Sequence, residues 1–399
     1  MDEVKIEKWV YGGAGLARTA EGVALVPFTM PGEAVRVEDV RRRAGVTEAR
    51  AAEIVGKSPE RIEPACAVFG RCGGCHYQMA PYEFQIEAKL AILREVFERV
   101  GKLMAPEAIR VVRGEPWGYR NRSQFHFGHH TLGYKMAGSD KVVDVEECPV
   151  SAPAVNAALK ALRAARRDRR FPRFLKQVEL FTNGERTMVN VLDTEQGRGV
   201  AKGFFAWLAE RIPGAADGEL VYEACGEKFR VSHRSFFQVN RFLIEPLVGC
   251  ALEGAEGDEA LDLYAGVGLF TVPLARRTGR VTGVESDGSA ARDLEFNLAA
   301  AGVTAEARRM QAEQYLEGLT KRPDFVLADP PRAGLGKRVV KELIRLRPPR
   351  LNIVSCDPAT LARDAAALCG AGYEMEGMAL IDLFPQTYHM ETVARLRLP

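Results

Sequence analysis

Residues 260–270, A-L-D-L-Y-A-G-V-G-L-F, pass from an apolar strand through a glycine turn into a helix. The same rhythm continues downstream in R-V-T-G-V-E (280–285), A-E-A-R-R-M (305–310), D-F-V-L-A-D (324–329) and L-N-I-V-S-C (351–356), with helical spacing between the runs. Strands alternating with helices describe a doubly wound parallel α/β sheet, which binds its ligands outside the carboxyl ends of its strands. The last two runs, E-M-E-G-M-A-L-I-D-L (374–383) and T-V-A-R-L-R-L (392–398), have no helix between them and read as a hairpin pair.

The glycine turn is a candidate cofactor loop. Gly266 and Gly268 let the backbone turn sharply and approach a ligand closely. Glu285 ends the next strand about twenty residues on, where a carboxylate can take a ribose diol. Thr271 stands where a dinucleotide fingerprint has its third glycine. A D-x-x-x-G-x-G loop with an acid ending the second strand points instead to S-adenosylmethionine, with Tyr264 lining the turn.

Two further strand ends carry chemistry. One is D-P-P-R (329–332), a rigid turn whose prolines lack amide hydrogens, so that Asp329 and nearby carbonyls face a planar base. The other is Cys356, followed by Asp357-Pro358 at a helix start. A helix N-terminus favours the thiolate. Asp357 opposes this by its charge, unless it is spent as the helix N-cap ahead of Pro358. An Asp-Pro-Pro turn alone equally suits methylation of an amino nitrogen, which needs no protein nucleophile. Carbon 5 of a pyrimidine does need one, because a thiolate adding to carbon 6 turns the ring into an enolate able to attack a methylsulfonium. A base must then remove the carbon 5 proton, and Glu391 in H-M-E-T-V suits that role. Cys225, Cys250 and Cys369 read as packing residues.

The remainder of the 399-residue chain predicts further domains. Residues 1–57 are short strands with Gly and Pro punctuation, as in a small OB-type barrel, with Arg41, Arg42 and Arg43 at an expected loop. Residues 81–101 turn helical. Lys160 to Lys176 holds eight basic residues against Asp168, with Arg163, Arg166, Arg167 and Arg170 expected along one helix face. Formal net charge is +2, from 55 basic and 53 acidic residues, so nucleic-acid affinity must come from local patches. The charged N-terminus and the lack of a bilayer-length apolar run predict a cytoplasmic protein with no membrane partner. In that compartment eight cysteines point to metal or catalysis rather than disulfides. Cys66, Cys72 and Cys75 lie in C-A-V-F-G-R-C-G-G-C, and Cys148 precedes a proline. Four thiolates suit a [4Fe–4S] cluster or tetrahedral zinc.

Taken together, these motifs resemble the RNA uracil-5-methyltransferase family, in its iron–sulfur ribosomal RNA branch. W-G-Y-R-N-R, V-V-D-V-E-E-C-P, S-F-F-Q-V-N (235–240), D-L-Y-A-G-V-G, D-P-P-R-A-G, S-C-D-P-A-T-L-A-R-D and D-L-F-P-Q-T-Y-H-M-E-T-V follow one another in the family's order. The resemblance implies an OB-like TRAM barrel over 1–57 and a mixed α+β central iron–sulfur domain over 58–230, whose helix 82–101 packs on the catalytic domain. It implies a Rossmann-like class I methyltransferase domain over 231–399. By the same resemblance Cys66, Cys72, Cys75 and Cys148 hold a [4Fe–4S] cluster. Gln238, Tyr264, Gly266, Gly268, Glu285 and Asp329 serve the cofactor, Phe236 and Asp329 serve the target base, Cys356 is the nucleophile and Glu391 the base. The implied substrate is RNA, 23S ribosomal RNA or alternatively tRNA, and the implied state a monomer. Ala265, Leu269 and Asp357 depart from residues usual in the family, commonly Cys, Asn and Asn. A nitrogen methyltransferase and an RNA-binding protein with an inactive methyltransferase domain are the rival readings.

Overall fold

The computed structural model describes residues 3–20, 22–43, 45–212, 214–216 and 218–399, and for 39, 40, 42, 43 and 216 the backbone alone. The chain forms two compact units. The first holds Met1–Leu93, His126–Pro149 and Phe384–His389, and the second holds Arg94–Phe125, Val150–Leu383 and Met390–Pro399.

In the first unit, strands Glu3–Trp9, Ala14–Thr19, Gly22–Pro27, Val46–Gly56 and Ala34–Arg43 follow one another round a closed barrel. Residues alternate between exposed and buried along Glu3–Trp9, as a strand with one wet and one dry face requires. Val4, Ile6, Ala17, Ala24, Val26 and Val35 fill the interior. The alanines suit a barrel this narrow, and Gly15 shows the limit, since a Cβ there would come within 2.8 Å of Ile6 Cγ2. The barrel agrees with the OB-like expectation. The expected loop at Arg41–Arg43 does not form, because these residues continue the strand opposite Glu48, Thr47 and Val46. The side chains of Arg42 and Arg43 lie outside the described residues. In the same unit, the helix from Tyr82 buries Gln85 and Lys89. Gln85 exchanges hydrogen bonds with Gln386, and Lys89 Nζ donates to the Phe384 carbonyl at 3.0 Å.

The second unit is built on an eight-stranded sheet, in the order Ala305–Arg309, Arg280–Glu285, Glu259–Leu263, Phe325–Ala328, Arg350–Ser355, Glu391–Arg397, Glu374–Ile381 and Ile109–Val112. The first five are parallel, and Phe325–Ala328 is buried throughout, as strands covered on both faces must be. Glu391–Arg397 runs antiparallel between its neighbours, so the expected hairpin pair forms with its second strand inside the sheet. Ile109–Val112, more than two hundred residues upstream in the chain, supplies the edge. The segment Phe97–Gly101 packs on helix Pro358–Gly370 so closely that a Cβ at Gly101 would lie 2.9 Å from the Ala362 carbonyl. The basic helix is shorter than expected. It spans Pro153–Ala165, and Arg167 and Arg170 fall in the turns beyond it, where Arg170 folds back on Asp168 at 2.8 Å. Among the described residues no helix is long and apolar enough to cross a membrane.

Candidate active site

Strand Glu259–Leu263 delivers the glycine loop at the centre of the sheet. Tyr264 adopts φ +66°, a conformation rare outside glycine, and Gly266 and Gly268 follow at +57° and +93°. A Cβ at Gly268 would strike Leu294 Cδ1 at 2.9 Å, whereas Gly266 faces open space. Glu285 braces this turn from the next strand, accepting from the Gly266 amide at 2.9 Å and the Asp287 amide at 2.6 Å. The strand-two acid is therefore fixed in place beside the loop. Burial pushes the Tyr264 phenol up to about 12.

Asp262 lies beneath the loop, fully buried, and accepts from Thr271 Oγ1 at 2.5 Å. That bond explains why threonine occupies the place of a third glycine. Burial, with Asp329 and Glu285 adding repulsion, pushes the Asp262 carboxyl up to about 7. Its role as the floor of the loop was not foreseen, although the aspartate of the D-x-x-x-G-x-G pattern was the available signal. Ala265 packs under Gly283, where an added Cβ would sit 3.3 Å from its own. Leu269 is buried in the core.

Asp329, Cys356 and Glu391 meet at the carboxyl edge of the sheet. Ala328 pairs with Ile353 and Ser355 with Thr392, so Asp329 and Cys356 each stand one residue beyond a paired strand position, and Glu391 opens its own strand, paired with Ile381. The Asp329 amide donates to the Leu263 carbonyl at 3.2 Å, tying the Asp-Pro-Pro turn to the cofactor strand. Burial pushes the Cys356 thiol up to about 11; Glu391 and Asp329 push the same way, and Arg332 opposes them. Burial likewise pushes Asp329 up to about 7. Glu391 is 5% exposed, and burial followed by repulsion from Asp329 holds it well above the usual carboxylate range, again against Arg332. Desolvation and two nearby carboxyls thus work against the thiolate that a helix start favours. Asp357 does cap the helix, accepting from the Ala359 and Thr360 amides at 3.0 and 2.9 Å, with Pro358 at the first turn.

The S-F-F-Q-V-N segment gives two adjacent phenylalanines opposite fates. Phe237 is 2% exposed and packs beside Tyr222, with ring centroids 4.7 Å apart, whereas Phe236 is 62% exposed. Gln238 is buried and its carbonyl accepts from Asn121 Nδ2 at 3.2 Å. The anchor of this segment is Asp293, fully buried on helix Gly288–Ala301, which accepts from Ser235 Oγ, the Ser232 amide and Arg230 Nε at 2.6, 2.8 and 2.8 Å. Asp293 was missed; an acid amid the apolar stretches of that helix was the only hint.

In the first unit, Cys66, Cys72, Cys75 and Cys148 form a second cluster, and all eight cysteines lie outside disulfides. Burial, then the charges of Cys148, Cys72 and Cys66, push the Cys75 thiol up to about 12. Cys72 is pushed up to about 11 by burial, Cys148 and Cys66, and Cys66 is raised by burial and Cys148. The Gly74 amide donates to Cys72 Sγ at 3.4 Å. Among the described residues no three His, Cys, Asp or Glu side chains converge tightly enough to hold a metal ion as they stand. The donor set nevertheless fits a thiophilic metal, being four thiols within electrostatic reach of one another, three half-buried and Cys148 buried.

Comparison with known proteins agrees with this geometry. Residues 217–397 match the family model for tRNA (Uracil-5-)-methyltransferase. An uncharacterized RNA methyltransferase of Thermotoga maritima is 31% identical, covering 99% of both chains. The 23S rRNA (uracil(1939)-C(5))-methyltransferase RlmD of Salmonella paratyphi A is 33% identical, covering 98% of this chain and 94% of its own. The crystal structure of Pyrococcus abyssi tRNA (uracil-54, C5)-methyltransferase in complex with S-adenosyl-L-homocysteine superposes with a TM-score of 0.75 and 27% identity, over 99% of this chain and 100% of that one. With relatives above 30% identity matching it almost end to end, the chain belongs to the RNA (uracil-5-)-methyltransferase family.

Proposed function

We propose that this enzyme methylates carbon 5 of a uridine in 23S ribosomal RNA through a covalent adduct at Cys356. The observation that carries the reading is the joining of the half-buried Cys356 thiol with the half-buried Asp329 and buried Glu391 carboxyls at the edge where the cofactor loop opens. S-adenosylmethionine supplies the methyl group and a positive sulfonium; the open face of Gly266, the braced Glu285, Tyr264, Gly268, Gln238 and Asp329 are the groups that hold it. Cys356 loses its proton and its sulfur bonds to carbon 6 of the uracil, sending the ring electrons to an enolate. Carbon 5 then takes the methyl. Glu391, ionised, removes the carbon 5 proton, the carbon 6–sulfur bond breaks and Cys356 leaves as thiolate. Phe236 offers its exposed ring to the unstacked base, a contact worth about 1–3 kcal/mol at single-strand sites.

The 23S target rests on the RlmD relatives, and a tRNA target on the Pyrococcus abyssi structure. Mapping 5-methyluridine across total RNA with and without the gene separates the two. The barrel over 1–57 serves as a TRAM-type RNA-binding domain, the region 58–230 as the central domain and 231–399 as the methyltransferase domain. Cys66, Cys72, Cys75 and Cys148 hold a [4Fe–4S] cluster that organises the central region; no step of the methylation is redox. Cys356→Ala tests the mechanism. It should abolish both methylation and the covalent complex with 5-fluorouridine RNA, and retained methylation would establish a nitrogen target instead.

A further inference from the structure

A cleft of about 840 Å³ opens in the second unit, away from the loop and thiol described above. Strand Thr187–Thr194, the segment Gly197–Val200, helix Lys202–Ala209 and residues His233–Arg234 line it. Arg186, Arg198, Lys202 and Arg234 supply four cations against the single acid Asp193. All four are exposed, and among the described residues none of them is in an ion pair. Phe205 and the exposed Leu192 add apolar surface to the walls. Unpaired cations beside an aromatic are the composition of a groove that tracks single-stranded nucleic acid.

The cleft is tied to the exposed Phe236 ring by a short rigid loop. Asn190 Nδ2, buried in the cleft wall, donates to the His233 carbonyl at 3.0 Å and to Glu179 at 3.1 Å. Glu179 pairs with Arg122 at 2.8 Å, and Arg122 Nη1 donates to the Ser235 carbonyl at 2.7 Å. Both ends of His233–Ser235 are therefore clamped by one network, and Phe236 is the next residue. We propose that this cleft seats the single-stranded RNA flanking the target uridine, its phosphates against Arg186, Arg198, Lys202 and Arg234. The proposal rests on the reading of the enzyme as an RNA methyltransferase and adds the path of the strand. It also moves the RNA contact away from the Lys160–Lys176 stretch, where Arg170 is already paired with Asp168.

The double variant Arg198→Gln/Lys202→Gln of the full chain tests it, with binding of a labelled oligouridylate measured against salt. Affinity should fall about tenfold, and the log–log salt slope should become shallower by about 1.4, near 0.7 for each cation lost. S-adenosylmethionine affinity and melting temperature should be unchanged. An unchanged affinity and slope in the folded variant would overturn the proposal, as would equal loss of binding to inorganic phosphate, which marks a small-anion site. Absence of 5-methyluridine formation by the wild type would instead sink the underlying reading, and it leaves the binding comparison intact.

Discussion

The catalytic edge and the cysteine quartet are built from the same material, and they differ in what relieves them. Each gathers half-buried and buried acidic groups whose charged forms are disfavoured by burial and by one another. At the edge, Arg332 stands against that trend, drawing down both Cys356 and Glu391. At the quartet, among the described residues, no cationic side chain offsets the rise at Cys66, Cys72 or Cys75, where backbone amides and Gln78 act downward. A site with an internal cation can ionise in turn during a reaction cycle. A site of thiols without one becomes fully ionised when a cation from solution occupies it. The comparison therefore separates a reactive cluster from a structural one on electrostatic grounds.

Loss of the proposed cluster should have the largest effect. Apparent metal-binding energies in small thiolate sites are on the order of 10 kcal/mol and act as folding energy. Cys75→Ser should lose bound metal and lower the melting temperature of the first unit, read by metal analysis and calorimetry. Cys369→Ser, outside the quartet, should change neither. Full retention of stability without metal would break the contrast. Next comes the base. Glu391→Gln should lower kcat about 10²–10⁴-fold and trap natural uridine RNA on Cys356, visible by denaturing mass spectrometry. Normal turnover by that variant would reassign the base.

Arg332 gives a smaller and sharper test. Cys356, pushed up to about 11, is a neutral thiol in the resting enzyme, and Asp329 at about 7 titrates near neutrality. The reaction uses the ionised thiol and an ionised Glu391, so activity should rise with pH through the neutral range. Arg332→Met removes a guanidinium that favours both ionised forms. Its pH–activity curve should move to the alkaline side by about one unit, since an opposite charge at close range shifts a pKa by about 1–3 units. A curve that does not move would show that Arg332 acts on something other than these two groups.

What could be read from the chain followed local rules. The parallel strands announce themselves as short apolar runs, the cofactor turn by its glycines, and the helix after Cys356 by Asp357-Pro358. What escaped depends on contacts distant in sequence. Ile109–Val112 joins the sheet edge against Glu374–Ile381, a pairing no local pattern encodes. The opposite exposures of Phe236 and Phe237 go with contacts distant in sequence, the hold of Asp293 on Ser232 and Ser235 and of Arg122 on the Ser235 carbonyl. The influences on the Cys356 thiol divide in the same way. The helix start is local and legible, whereas the burial that dominates Cys356 is tertiary.

Asp357 makes the finest cut between the two kinds of site. A carboxylate adjacent in sequence to the nucleophile looks like a brake on it, yet its Oδ1 is engaged by the Ala359 and Thr360 amides. Asparagine caps a helix about as well as aspartate, so Asp357→Asn should alter stability by no more than the loss of one charge near a helix N-terminus, about 0.3–1 kcal/mol. Asp357→Ala removes the cap as well and should cost about 1 kcal/mol, read from denaturant midpoints. In both variants the Cys356 thiol should titrate close to its wild-type position, because burial is the largest cause of its rise, with Glu391 and then Asp329 adding to it. A thiol pKa that drops in Asp357→Asn, followed by alkylation rate against pH, would restore the brake and remove Asp357 from the purely structural side of the comparison.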